Sequence, residues 1–238
     1  LPDQQPKYLN SPETPIYVKG RTLYGLHLSK HAIRKAGQAV LVEGYFDFAM
    51  AVQGGVEPVV ATCGTALTLP QAQTLRRFAN RVVLSFDPDA AGQGAAAKSS
   101  ELLVSEGFDV RVAMLPAGED PDTFVRRAGG EAYRQLVEGA APYLDYLLER
   151  AAAVHDLGRS DGRQRFVQEM LVVAARIPEA TERDAFADRL AHRARIDEDV
   201  VRAEIRKAAV ARRTSLPVAA VEAGGRLKPA ERDLLVGL

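Results

Sequence analysis

Tryptophan is missing from this sequence, and cysteine occurs once, as Cys63. A lone thiol closes no internal disulfide and builds no thiolate zinc site. Disulfide-stapled scaffolds and Cys-based zinc modules are therefore excluded, and the composition suits a reducing, cytoplasmic compartment. No apolar run approaches the roughly 20 residues that a membrane-spanning helix needs, so no membrane partner is expected. An initiator methionine and a signal-like segment are also lacking; the start at Leu1 reads as a piece of a longer polypeptide. Net charge is zero, with 31 basic groups against 31 acidic ones. What is present is a 238-residue chain, 47% apolar and 26% charged. That is enough for one large or two small soluble domains, with a core burying about 70% of the unfolded surface.

The charge balance conceals a pattern. Residues 1–37 carry six basic and two acidic groups, residues 38–141 eight and thirteen, and residues 202–213 five and one. A carboxylate-rich centre between basic flanks suits divalent cations beside phosphates, although ordinary solvated faces give the same counts. From Gln38 onward, short apolar runs alternate with helical patterns, as in a parallel sheet with crossover helices. Strands are predicted at Ala39–Val42, Pro58–Ala61, Arg81–Phe86 and Val110–Leu115, and helices at Tyr45–Gln53, Leu69–Phe78 and Ala90–Glu106. The second of these helices opens on the capping box Thr68-x-x-Gln71, with Pro70 in its first turn. After Gly129-Gly130 the strand signals stop. Residues 131–210 read as helical, interrupted at Gly158–Gly162 and Ile177-Pro178, and 212–228 reads as a linker.

Three acidic clusters follow predicted strands: Glu43 with Asp47, Asp87 with Asp89, and Asp120 with Asp122. In a right-handed parallel sheet the carboxyl ends of all strands share one edge, the edge where such folds hold ligands. Carboxylates gathered there repel one another unless a cation joins them. Oxygen donors without His or Cys select Mg²⁺ or Mn²⁺ over zinc, which points to phosphoryl or nucleotidyl transfer, with two ions assisting the attacking and leaving oxygens. Each cluster also has a structural reading: Asp120 before Pro121 as a helix cap, Asp87-Pro88-Asp89 as a turn, and Glu43 and Asp47 as exposed acids at a helix start. Gly64-Thr65-Ala66 offers amides and a hydroxyl to a phosphate or forms a plain turn. Lys7, Tyr8, Asn10 and Lys19 suit triphosphate and base contacts or a polar loop. Cys63 reads as a buried small residue and Lys98 as solvated. His27, His31, His155 and His192 show no ligand pattern.

Taken in order, several words resemble the RNA polymerase core of bacterial replicative DNA primases of the DnaG type. They are Lys-Tyr-Leu-Asn-Ser-Pro-Glu-Thr at 7–14, Lys-Gly-Arg-Thr-Leu-Tyr-Gly-Leu at 19–26, Val-Glu-Gly-Tyr-Phe-Asp at 42–47, Gly-Thr-Ala at 64–66, Asp-Pro-Asp-Ala-Ala-Gly at 87–92 and Gly-Glu-Asp-Pro-Asp at 118–122. The resemblance implies an α/β Toprim-type, largely parallel sheet flanked by helices. This would be residues 38–141, preceded by a remnant of a basic α+β subdomain at 1–37. A helical subdomain would follow at 142–211, then a linker and the start of a helicase-binding region at 212–238. It implies synthesis of short RNA primers from nucleoside triphosphates (NTPs) on single-stranded DNA, with Glu43, Asp47, Asp87, Asp89, Asp120 and Asp122 holding Mg²⁺ or Mn²⁺. Glu43 would also accept a proton, Lys7, Tyr8, Asn10 and Lys19 would touch the incoming nucleotide, and the replicative helicase would bind through a further C-terminal domain. Pro88 stands where such primases usually have glycine, and with one cysteine their zinc module is not in this chain, which is expected to prime poorly or not at all alone. The alternatives are another metal-dependent phosphotransfer enzyme, a Toprim nuclease or an aspartate-nucleophile phosphatase, and a helicase-interaction module. Ala91, where such phosphatases carry Thr or Val, and the words around Lys7 and Lys19 speak against the enzymes.

Overall fold

Four consecutive apolar residues, Ala39-Val40-Leu41-Val42, are all fully buried. A strand can be buried in this way only where both faces of its sheet are covered. In the computed structural model, which describes residues 12–63, 66–85 and 95–215, β1 (Gln38–Val42) lies between β2 (Val59–Ala61) and β3 (Arg81–Leu84). β4 (Asp109–Val112) extends the sheet beyond β3, and all three pairings are parallel, with Val40 opposite both Val59 and Val83. β5 (Ala141–Pro142) closes the edge antiparallel to β4.

The chain leaves β1 through α2 (Tyr45–Gln53) toward β2, then returns through α3 (Leu69–Arg76) to β3 and continues through α4 (Ala95–Ser105) to β4. With right-handed crossovers these opposite directions put α2 on one face and α3 and α4 on the other. The two cores follow this division. Phe48 and Ala51 of α2 pack with Val40, Val42 and Val83, whereas Leu75 of α3 and Leu103 of α4 pack with Ala39, Leu41 and Val82. Winding therefore reverses between β1 and β3, and their carboxyl ends border the crevice where open α/β sheets bind ligands.

The first face is completed by α5 (Pro121–Ala128) and α6 (Gly130–Glu138), which contribute Phe124, Val125, Tyr133 and Val137. On the second face lie α1 (Leu26–Ala36), joined to β1 through the left-handed Gly37, and a helical unit of α7 (Tyr143–Val154), α8 (Ser160–Ala174), α9 (Ala180–Ala194) and α10 (Glu198–Ser215). Phe166, Met170, Phe186, Leu190 and Ile205 of that unit share one core with Leu103, Val104 and Phe108. No helix among the described residues is long and apolar enough to cross a membrane.

The element order matches the sequence expectation, with local differences. β3 and β4 stop at Leu84 and Val112, short of the apolar runs that announce them. Ala113 and Leu115 are buried in the core on the α2 face; the Ala113 N–H still donates to the Leu84 carbonyl at 2.9 Å, beyond the last paired residue of β4. The helical pattern after Gly130 is interrupted by β5, a strand too short for any periodicity, where Pro142 is tolerated because the strand is at an edge. Gly162, read as part of a turn, sits in the first turn of α8. A Cβ there would meet the Asp156 carbonyl oxygen at 2.0 Å, so the missing side chain lets the helix begin beneath the preceding turn. α10 continues to Ser215, past the expected linker start at 212.

At the start of α6, Gly130 lies against the end of α2: a Cβ would stand 2.3 Å from the Gly54 carbonyl oxygen and 2.4 Å from its Cα. Backbone cannot yield as a flexible side chain does. Gly130→Ala is therefore expected to lower unfolding free energy by about 1–3 kcal/mol, measured by urea denaturation.

Candidate functional site

Glu43 follows β1 directly and is solvent-exposed. Its carbonyl accepts the Cys63 N–H at 2.8 Å, tying the end of β1 to the segment after β2. Gly44, in extended conformation, caps α2, and its N–H donates to Asp47 Oδ2 at 2.9 Å. The other oxygen, Oδ1, accepts the N–H of Asp122 at 3.3 Å, from 75 residues further along the chain. Asp47 is 8% exposed. Burial pushes its carboxyl pKa up; the Gly44 and Asp122 N–H groups oppose the rise, and the Asp120 and Asp122 carboxylates add to it. Sequence allows Asp47 to be an exposed helix-start acid; the structure buries it.

Asp120 is the N-cap of α5. Its Oδ1 accepts the Thr123 N–H at 2.8 Å, its own N–H donates to Thr123 Oγ1 at 3.0 Å, and Pro121 occupies the first turn. This is the capping arrangement that the sequence allows. Asp122 pairs with Arg126, one turn on, at 2.5 Å. Asp47, Asp120 and Asp122 thus share one electrostatic neighbourhood, but among the described residues no three acidic, His or Cys side chains converge as a metal centre. Asp87 and Asp89 lie outside the described residues. β3 delivers the chain to this edge at Ser85, whose N–H donates to the Leu41 carbonyl at 3.0 Å. The Ser85 hydroxyl, fully buried, accepts the Tyr133 O–H at 2.9 Å. Asp47, Asp120 and Asp122 offer oxygen alone, which suits a hard divalent cation, and Asp47 is a buried carboxylate with acidic neighbours and no salt-bridged basic partner among the described residues.

Across the edge, Lys19 opens a single 3₁₀ turn, Lys19–Arg21, and its N–H donates to Glu13 Oε1 at 2.9 Å. Its ammonium lowers the Cys63 thiol pKa, so the two lie in one neighbourhood, and the Tyr45 side chain is hydrogen-bonded to the Cys63 sulfur. Tyr24 stands edge-on to Tyr45 with ring centroids 4.8 Å apart. Burial is the leading cause that pushes Tyr45 up to about 12 and Cys63 up to about 11. Lys7, Tyr8, Asn10, Gly64 and Thr65 lie outside the described residues, and Lys98 is exposed as expected. Sequence reasoning missed Ser85 and Tyr133: a serine ending an apolar strand and a tyrosine in a helix carry no local signal that they meet. It read Cys63 correctly as buried, but not its backbone φ of +54°.

Two outcomes are expected. At pH 8 a thiol with pKa near 11 is about one part per thousand thiolate, so native Cys63 should react with iodoacetamide more than about a hundredfold slower than in urea. Mn²⁺ is expected to raise the melting temperature of the chain, and Asp47→Asn, which replaces one of the two acceptor oxygens by a donor, is expected to remove that rise, as read by thermal-shift scans.

Comparison with known proteins follows the same lines. Three sequence families match in order: "DNA primase catalytic core, N-terminal domain" over residues 1–30, "Toprim-like" over 40–125, and "DnaB-helicase binding domain of primase" over 144–199. The last falls within the helical unit, upstream of the helicase-binding start expected at 212. DNA primase of Clostridium acetobutylicum is 39% identical over 202 residues, covering 84% of this chain and 33% of the relative. That of Escherichia coli K12 is 34% identical over 241 residues, covering 100% and 40%. The chain thus spans between a third and two fifths of these relatives. Among solved structures, a DNA primase domain from Pseudomonas aeruginosa superposes with a TM-score of 0.76 at 32% identity, covering 88% of this chain and 65% of that one. A DnaG primase catalytic domain bound to single-stranded DNA gives a TM-score of 0.70 at 37% identity, covering 80% and 62%. The order of these matches, on a sheet that reverses its winding beside the buried Asp47, makes this chain a member of the bacterial DNA primase family of the DnaG type.

Proposed function

We propose that this chain supplies the metal-binding half of a primase active site that makes short RNA primers from NTPs on a single-stranded DNA template. The observation that carries the reading is Asp47, an acid buried beside other acids at the reversal of winding, with no salt-bridged basic partner among the described residues. Glu43, Asp47, Asp87, Asp89, Asp120 and Asp122 would hold Mg²⁺ or Mn²⁺. When bound, such ions supply positive charge to the α-phosphate and to the attacking and leaving oxygens. The 3′-hydroxyl of the primer forms a bond to the α-phosphorus, the bond to the bridging oxygen breaks, and pyrophosphate departs. Glu43, exposed at the strand end, is the acceptor for the hydroxyl proton. Lys7, Tyr8, Asn10 and Lys19 contact the incoming nucleotide, with Gly64 and Thr65 offering phosphate contacts. The chain's part is positioning and fixed charge.

The division of labour follows the sequence reading, with a basic remnant at 1–37, the Toprim unit at 38–141, the helical unit at 142–211 and a linker from 212. The helicase contact is moved: the family match over 144–199 favours a surface on the helical unit itself. Template DNA, NTPs and the growing RNA are the remaining partners, and the work is done in the cytoplasm at the nucleoid. The nuclease and phosphatase readings are not favoured, since the matched relatives carry the primase name.

The test is calorimetric titration of Mn²⁺ into the chain beside the Asp87→Ala, Asp89→Ala double variant. Binding by the parent and its loss in the double variant is the expected result. In the full primase polypeptide, either single substitution should cut primer synthesis by at least about a hundredfold. Retention of activity by both would overturn the site.

A further inference from the structure

The capping box at the head of α3 does more than a helix start requires. In such a box the third residue needs only an acceptor for the cap N–H, and glutamate serves as well as glutamine. Gln71 is fully buried, and its Oε1 accepts the Thr68 N–H at 2.9 Å. That leaves the two N–H bonds of its carboxamide, which would be orphans in a buried position. Both are used on one distant segment: Nε2 donates to the Lys19 carbonyl at 3.0 Å and to the Thr22 carbonyl at 2.7 Å. Between these anchors the Thr68 hydroxyl, while accepting the Gln71 N–H at 3.3 Å, donates to the Gly20 carbonyl at 2.5 Å. Three carbonyls of Lys19–Thr22 are thus clamped by two side chains from about 50 residues on.

We infer that Gln71, with Thr68, is a positioning residue for nucleotide binding: the carboxamide holds the Lys19–Thr22 backbone so that the Lys19 ammonium is presented at the catalytic edge. This rests on the proposed contact between Lys19 and the incoming nucleotide. Preorganisation is the physical content, since a lysine on a wandering segment must be ordered at each binding event. Cys63, whose thiol feels the Lys19 charge, marks where that ammonium is held.

Gln71→Met keeps length and removes both donors. Lys19 and Arg21 are themselves trypsin sites, so the docking can be read directly. In the whole chain, cleavage after these two residues is expected to accelerate by about tenfold or more, with cuts elsewhere unchanged. In the full primase polypeptide the KM for NTPs should rise about tenfold with kcat within about twofold. Should Gln71→Met fail to fold, Thr68→Val is expected to show the same pair of effects, and Thr68→Ser, which keeps the hydroxyl, to restore both. Unchanged cleavage in a folded variant would overturn the clamp. Faster cleavage with unchanged KM would overturn the role in nucleotide binding, and Lys19→Ala separates the causes. If that substitution raises KM, the inference alone has failed; if it does not, the assignment of Lys19 has failed as well.

Discussion

The parallel pairing of β1 with β3 sets where everything else can lie. Val40 stands opposite Val83, and the ladder runs on until the Ser85 N–H meets the Leu41 carbonyl. Because the chain leaves β1 toward one neighbour and β3 toward the other, the two exits diverge to opposite faces and leave a gap at their carboxyl ends. Glu43 and the α2 cap stand at one side of that gap, and Ser85 delivers the chain to the other. A different strand order with the same local sequences would scatter these residues along the edge.

Burying Asp47 in that gap works against folding. A carboxylate taken from water costs several kcal/mol unless charge or hydrogen bonds compensate, and its acidic neighbours raise the cost. Two backbone N–H groups offset part of it. The rest is tolerated because the sheet is covered on both faces, with the second core running without interruption from Leu41 and Leu103 into Phe166 and Phe186 of the helical unit. The helical unit is thus an energetic part of the sheet that carries the acids, whatever further surface it presents.

Where information was local, it was legible. The apolar runs of β1 and β2, the cap at Thr68, the cap at Asp120 and the break at Ile177-Pro178 announce themselves within a few residues, because periodicity, capping and proline geometry act over that range. That Asp47 would lie near Asp120 and Asp122 was legible too, since a parallel sheet has only one carboxyl edge; Asp87 and Asp89 lie outside the described residues. What was not legible depends on partners far away in the chain. The burial of Asp47 comes from α5, the Tyr133–Ser85 bond spans 48 residues, and the Gln71–Lys19 bond spans 52. The two-residue β5 offers no pattern to read, and Gly162 reads as a turn because its purpose is contact with Asp156, not conformational freedom.

The hydrogen bond from the Asp122 N–H to Asp47 has a consequence for how such a site can drift over generations. The donor belongs to the peptide backbone, so exchanging the side chain at position 122 changes the charge nearby and leaves the donor where it is. Proline alone would delete it. The contact that orients the buried carboxylate is therefore written in the fold and not in the codon.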